Sequence, residues 1–162
     1  MPKILVTGGA GFIGSALIRY LINNTEHSVI NVDKLTYAGN LDSLDGVDVN
    51  FRYVFEQVDI CNAQEVSRIL AQYQPDKIVH LAAESHVDRS IEYPMEFVMD
   101  NVVGTGHCLE FARKLPNLER FVYFSTDEVF GPAPQGVNYK ERDRYNSSNT
   151  YSATKAGGEE LA

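Results

Sequence analysis

The sequence is short of basic residues, of cysteines and of long apolar runs. Lys and Arg number 14 against 22 Asp and Glu, a formal net charge of -8. A chain with that deficit has no electrostatic reason to seek nucleic acid or an anionic membrane surface. An anionic ligand must then be held by local dipoles and a few placed cations. The two cysteines, Cys61 and Cys108, lack CxxC spacing, which argues against a metal site or a redox pair. They read as free thiols of a reducing compartment. No apolar run approaches the roughly 20 residues of a membrane span. The N-terminus carries an early Lys3 and then a strand-length apolar run, not a signal-peptide core. A cytoplasmic location is expected. No internal repeat, low-complexity tract or linker interrupts the 162 residues, which read as one domain.

Short β-branched runs alternate with longer amphipathic stretches. The spacing predicts strands over Lys3 to Thr7, Ser28 to Asp33, Phe51 to Val58, Lys77 to Ala82 and Arg120 to Ser125. It predicts helices over Phe12 to Asn24, Asn62 to Tyr73 and Pro94 to Lys114, and from Thr150 onward. Lys34 to Gly46 and Asp127 to Asn149 read as loops. This alternation predicts an α/β, doubly wound parallel sheet of Rossmann type with helices on both faces. The last helix has no stop signal after Glu159-Glu160-Leu161-Ala162. The usual sixth strand is also missing from the pattern. The expectation is an N-terminal fragment, cut before that strand and before a substrate domain, with strand five left as a sheet edge.

Gly8-Gly9-Ala10-Gly11-Phe12-Ile13-Gly14 follows the first strand directly and opens the first helix. Gly8 allows a tight turn, Gly11 lets backbone approach a phosphate, and Gly14 lets helix lie close to strand. The helix N-terminus offers N–H groups and a positive dipole end to a pyrophosphate. Asp33 ends strand two, where this fold places an acceptor for adenosine ribose hydroxyls. A carboxylate there repels a 2′-phosphate and favours NAD over NADP; Lys34 beside it works against that argument. The alternative is a structural turn with a strand-end Asp.

Tyr151 and Lys155 stand four apart at the start of the last helix and face the same way. A nearby ammonium lowers a phenol's pKa, which suits Tyr151 to general-base work on a sugar or alcohol hydroxyl. Alone the pair reads equally as a solvated helix face. Ser125-Thr126-Asp127-Glu128 leaves strand five at the edge where open α/β sheets bind ligands. The two carboxylates read either as a proton donor and acceptor with divergent pKa values or as a turn-capping loop. His80, within strand four, reads as a satisfied core histidine. His86, Asp88 and Arg89 read as a loop with a local ion pair, or as substrate contacts.

Taken together, these residues resemble the NDP-sugar 4,6-dehydratases of the extended short-chain dehydrogenase/reductase group. The resemblance runs the whole length, on GGAGFIGS from Gly8, DKLTYAGNL from Asp33, DIC from Asp59, HLAAESHVDRSI from His80, NVVGT from Asn101, STDEVFG from Ser125 and YSATKAG from Tyr151. It implies an NAD-dependent lyase of deoxysugar biosynthesis that acts on a nucleotide sugar. dTDP-glucose is the expected substrate, with UDP-glucose the alternative; an NAD-binding fragment without turnover is a third reading. Tyr151 would take the proton of the carbon-4 hydroxyl as hydride passes to NAD. Lys155 would hold the nicotinamide ribose and lower the Tyr151 pKa. Glu128 would remove the carbon-5 proton, Asp127 would protonate the departing carbon-6 hydroxyl, and hydride would return to carbon 6. Thr126 would hydrogen-bond the carbon-4 oxygen.

By the same resemblance Phe12 and Ile13 lie along the pyrophosphate. Asp33, Lys34, Leu35 and Thr36 surround the adenosine ribose, and Asp59 and Ile60 reach adenine. Leu81 to Ser85, Leu81, Ala82, Ala83 and Ser85 foremost, line the cofactor, with Ser85 also near the sugar. Full-length relatives pair as homodimers through the helix after Pro94 and the helix bearing Tyr151. Two departures stand out: Asp100 occupies a position that is often Thr, and Phe130 one that is often Tyr.

Overall fold

A computed structural model describes residues 1–162. Five strands form one all-parallel sheet: β1 Lys3–Thr7, β2 Ser28–Asp33, β3 Tyr53–Gln57, β4 Lys77–His80 and β5 Arg120–Tyr123. Their order across the sheet is β3-β2-β1-β4-β5. The winding reverses between β1 and β4, and clefts of such sheets open at that point beyond the strand C-termini.

The helices are α1 Phe12–Asn24, α2 Ala63–Tyr73, α3 Val87–Glu92, α4 Pro94–Val98, α5 Thr105–Ala112 and α6 Thr150–Leu161. Strand alternation divides the core in two. Ile4 and Val6 of β1 and Val29 of β2 pack against Ile18, Leu21 and Ile22 of α1. Leu5, Ile30, Val32 and Ile78 face the other way, onto Val66, Ile69 and Leu70 of α2 and onto Cys108 and Ala112 of α5. Strands buried on both sides read as continuous apolar runs, which is why β1, β2 and β4 were legible.

Several boundaries differ from the sequence reading. The helix expected over Pro94 to Lys114 ends at Ala112, and Met99–Gly104 within it is a π-helix. The segment expected as a loop around His86, Asp88 and Arg89 is α3, and its ion pairs are not local. Arg89 meets Glu96 at 3.2 Å and Glu84 at 3.9 Å. Tyr93 breaks α3 from α4 because the residue before Pro94 is pushed out of the helical region; it sits at φ -127°, ψ 57°. Two loops hold 3₁₀ turns, Leu41–Leu44 and Asp127–Phe130. β3, β4 and β5 are shorter than expected.

His80 is the polar centre of the sheet and is 1% exposed. The N–H groups of Leu81 and Ala82 donate to the Thr7 hydroxyl at 3.2 and 3.1 Å, so that hydroxyl's own proton goes to His80 Nδ1 at 2.8 Å. Thr105 donates its hydroxyl to the Asn101 carbonyl at 2.8 Å, leaving its oxygen to accept from His80 Nε2 at 3.0 Å. Neutral imidazole fits both bonds and imidazolium does not. Burial and then the Lys155 ammonium push its pKa down to about 3 from 6.5.

That stability is fully present above pH 6.5 and is lost as pH falls towards the folded-state value. Between those limits the wild type is expected to lose about 1.4 kcal/mol more per pH unit than His80→Gln. Urea unfolding of both proteins at pH 7, 6 and 5 checks this; parallel pH profiles would contradict it.

Candidate active site

The glycine turn is forced by its neighbours. Gly8 has φ 70° and donates its N–H to the Val32 carbonyl at 2.8 Å. A Cβ there would stand 2.7 Å from the Ala82 nitrogen, and a Cβ on Gly14 would strike the Gly8 carbonyl oxygen. The turn therefore passes under the start of the segment after β4 and leads straight into α1. No side chain caps α1 at Gly11. The N–H groups of its first turn point at open space, an arrangement that suits a phosphate anion. Phe12 is 93% exposed beside them.

Asp33 braces the turn. Its carboxylate accepts from the Ala10 N–H at 2.9 Å and from the Leu35 N–H at 2.8 Å. The same group retains lone pairs for a ribose hydroxyl, so the structural and the ligand readings of Asp33 are compatible.

A cleft of about 410 Å³ runs from this turn across the C-terminal ends of β2, β1 and β4 to α6. Gly8, Gly11, Phe12, Ile13, Gly14, Asp33, Lys34, Thr36, Ile60, Leu81, Ala82, Ala83, Ser85, Tyr151 and Lys155 all line it. Leu35 and Asp59 do not, although each adjoins a lining residue. Leu35 is held at φ 59°, which carries the chain past Asp33. Thr126, Asp127 and Glu128 also lie outside the lining, on the 3₁₀ turn after β5. The sequence reading missed Val32, Ala38, Gly39 and Val58 in the lining, and Asp100, given no role there, also lines it. Position at a strand's C-terminal end could have found Val32 and Val58. Nothing local marks Ala38 or Gly39.

α6 starts with a capping box: Asn149 Oδ1 accepts from Ser152 N at 2.8 Å, and Asn149 N donates to Ser152 Oγ at 3.3 Å. This fixes Tyr151 in the first turn and Lys155 one turn later. Lys155 is 4% exposed. Its ammonium donates to the Phe124 carbonyl and sits 4.3 Å from the Tyr123 ring centre. Burial pulls its pKa down to about 8. Tyr151 behaves differently from expectation. Burial raises its pKa, the Thr126 hydroxyl lowers it, and Glu128 and Asp127 raise it; Lys155 does not depress it. The reason is geometric, because the ammonium is committed to Phe124.

Glu128 is tied to the same helix start, accepting from Asn149 Nδ2 at 3.1 Å. Thr126 caps the 3₁₀ turn by accepting from the Glu128 N–H at 3.3 Å. The backbone thus brings Thr126, Glu128 and Tyr151 together. Asp127 is exposed.

Asn101, in the π-helix, joins the cleft's wall to α6. It exchanges hydrogen bonds with the backbone of Glu84, accepting and donating at 2.9 Å, and donates to Thr154 Oγ1 at 3.0 Å. Next to it Asp100 accepts from Lys34 Nζ at 2.6 Å. Asp59, Cys61 and Asp100 form a tight cluster, and the Lys34 ammonium lies against it. Burial and the two carboxylates push the Cys61 thiol up to about 12, so it is no nucleophile.

Sheet order, glycine turn and the Tyr151–Lys155 pair define a Rossmann-type dinucleotide domain of the short-chain dehydrogenase kind. The family model described as GDP-mannose 4,6 dehydratase matches residues 5–162, and the chain belongs to that family. It is 53% identical to dTDP-glucose 4,6-dehydratase 1 of Escherichia coli (strain K12), over 98% of this chain and 49% of that protein. The crystal structure of a Streptomyces venezuelae dTDP-glucose 4,6-dehydratase with NAD bound superposes with a TM-score of 0.91 at 41% identity, over 98% of this chain and 50% of that one. A Thermus thermophilus UDP-glucose 4-epimerase in complex with NAD gives a TM-score of 0.86 at 30% identity, over 98% of this chain and 49% of that one. The chain spans about half the length of the curated relatives it matches.

The buried ammonium gives a direct check of the site. A ¹³C-detected NMR titration should place the Lys155 Cε transition near pH 8. A Lys155 transition at 10 or above would mean that it is not held as described.

Proposed function

We propose that the cleft holds NAD and that the protein dehydrates dTDP-glucose to its 4-keto-6-deoxy product, as a lyase. The uncapped α1 N-terminus over the glycine turn supports the pyrophosphate placement, and Asp33 supports the adenosine ribose. NAD bound there would accept hydride from sugar carbon 4 and return it to carbon 6.

The observation that carries the dehydratase reading is the gathering of Thr126, Glu128 and Tyr151 at the start of α6. An epimerase needs the tyrosine alone; elimination of water needs an added acid and base. In this reading Tyr151 takes the carbon-4 hydroxyl proton, and Thr126 holds the oxygen. Tyr151 starts as a phenol made reluctant by burial, so its base role requires the Lys155 ammonium to turn from Phe124 towards it. Glu128 removes the carbon-5 proton, which the neighbouring ketone acidifies. Asp127, exposed until a sugar covers it, protonates the departing carbon-6 hydroxyl. Ser85 in the cleft wall contacts the sugar.

The relatives named dTDP-glucose dehydratases favour dTDP-glucose over UDP-glucose. A homodimer is also proposed: Ile91, Tyr93, Met95 and Met99 form an apolar surface along α3, α4 and the start of the π-helix, with Ile91 70% and Met95 64% exposed. No helix is long and apolar enough to cross a membrane. The deficit of basic charge and the free thiols support a cytoplasmic site of action.

Incubation with dTDP-glucose, read as the absorbance of the 4-keto product in base, tests the activity. Product should form with dTDP-glucose ahead of UDP-glucose. Tyr151→Phe should lower kcat about 10²-fold or more while NAD binding is retained. NAD binding without any product would leave a binding module in place of an enzyme.

A further inference from the structure

Two cations line the cleft, Lys155 on α6 and Lys34 directly after β2. Lys34 follows the residue assigned to the adenosine ribose. It is therefore the group that a phosphate on that ribose would recruit. The structure shows it already engaged. Its ammonium lies 2.6 Å from Asp100 Oδ2 and 3.7 Å from Asp59 Oδ2. Asp100 belongs to the π-helix and is 8% exposed. Its other carboxylate oxygen accepts from the Cys61 thiol at 3.3 Å.

A carboxylate so far out of water binds its cation with little screening. Moving Lys34 to another anion would strand Asp100 as a buried, unpaired charge, a costly state. Asp33, Asp59 and Asp100 also outnumber the one lysine at this end, so an added phosphate meets net repulsion.

We infer that Asp100 is a cofactor-specificity residue: by holding Lys34 against the π-helix it denies a 2′-phosphate its cation and makes the site selective for NAD over NADP. This rests on the proposed dinucleotide site. It assigns Asp100 a role that acts through Lys34, without contact to the reacting atoms. The pair also joins the segment after β2 to the helix that anchors α6, so a purely structural clasp is the competing explanation.

The test compares NADH and NADPH affinities by fluorescence titration of the full chain, for the wild type, Asp100→Asn, Asp100→Thr and the double variant Asp100→Asn with Lys34→Met. The wild type should prefer NADH. Asp100→Asn should narrow that preference about tenfold, chiefly by tightening NADPH. Asp100→Thr carries the same expectation with a smaller neutral side chain, should the Asn variant melt early by circular dichroism. Adding Lys34→Met should restore the wild-type preference, because the freed cation is gone. An unchanged ratio, or parallel loss of both affinities, would overturn the inference and leave a structural clasp. A folded wild type that binds neither nucleotide would overturn the dinucleotide site itself, and the inference with it.

Discussion

One buried hydrogen-bonded chain underlies the site. It starts at Thr7, where β1 turns into the glycine loop, and passes through His80 at the end of β4 and Thr105 at the start of α5. It continues through Asn101 in the π-helix to Thr154 on α6. Each link is nearly out of water, and each donor meets an acceptor, which is the condition for burying polar groups without loss. These bonds fix the separation between the glycine-turn end of the cleft and Tyr151. The π-helix turns Asn101 towards both Glu84 and α6, a use typical of such interruptions at functional sites.

The second constraint is charge. For the proposed dinucleotide, an anion, an acidic protein cannot rely on its overall field. The structure uses local means: uncapped N–H groups of α1, a glycine turn that admits backbone close to the ligand, and two lysines whose ammonium groups are already placed. Lys155 is buried against Phe124 and Lys34 is held by Asp100. Neither is a free surface cation: each is engaged by the protein itself, and Lys155 has to leave the Phe124 carbonyl to reach Tyr151.

The sequence made the framework legible where a single local rule decides. β1, β2 and α1 match to the residue, because an apolar run, a glycine turn and an amphipathic period each admit one reading. Tyr151 and Lys155 were readable from helical spacing. Asp33 was readable from its place at a strand end, but its brace to Ala10 depends on chain segments meeting in space. The π-helix was not readable, since α and π turns share composition. α3 was hidden because the charged VDRSIE run lacks a clear apolar period. That Lys155 is turned to the Phe124 carbonyl was not readable for a similar reason: spacing shows that two side chains share a face, not which carbonyl one of them turns to. Asp100 looked like an unexplained departure until its contact with Lys34 gave it a partner.

The glycine turn and the α6 tyrosine–lysine pair are proposed as two ends of one dinucleotide site. Hydrogen–deuterium exchange of the protein with and without NAD distinguishes one site from two unrelated features. NAD should slow exchange both in the first turn of α1, at Phe12 to Gly14, and at the start of α6 around Tyr151. Protection confined to one end, or absent from both, would contradict it.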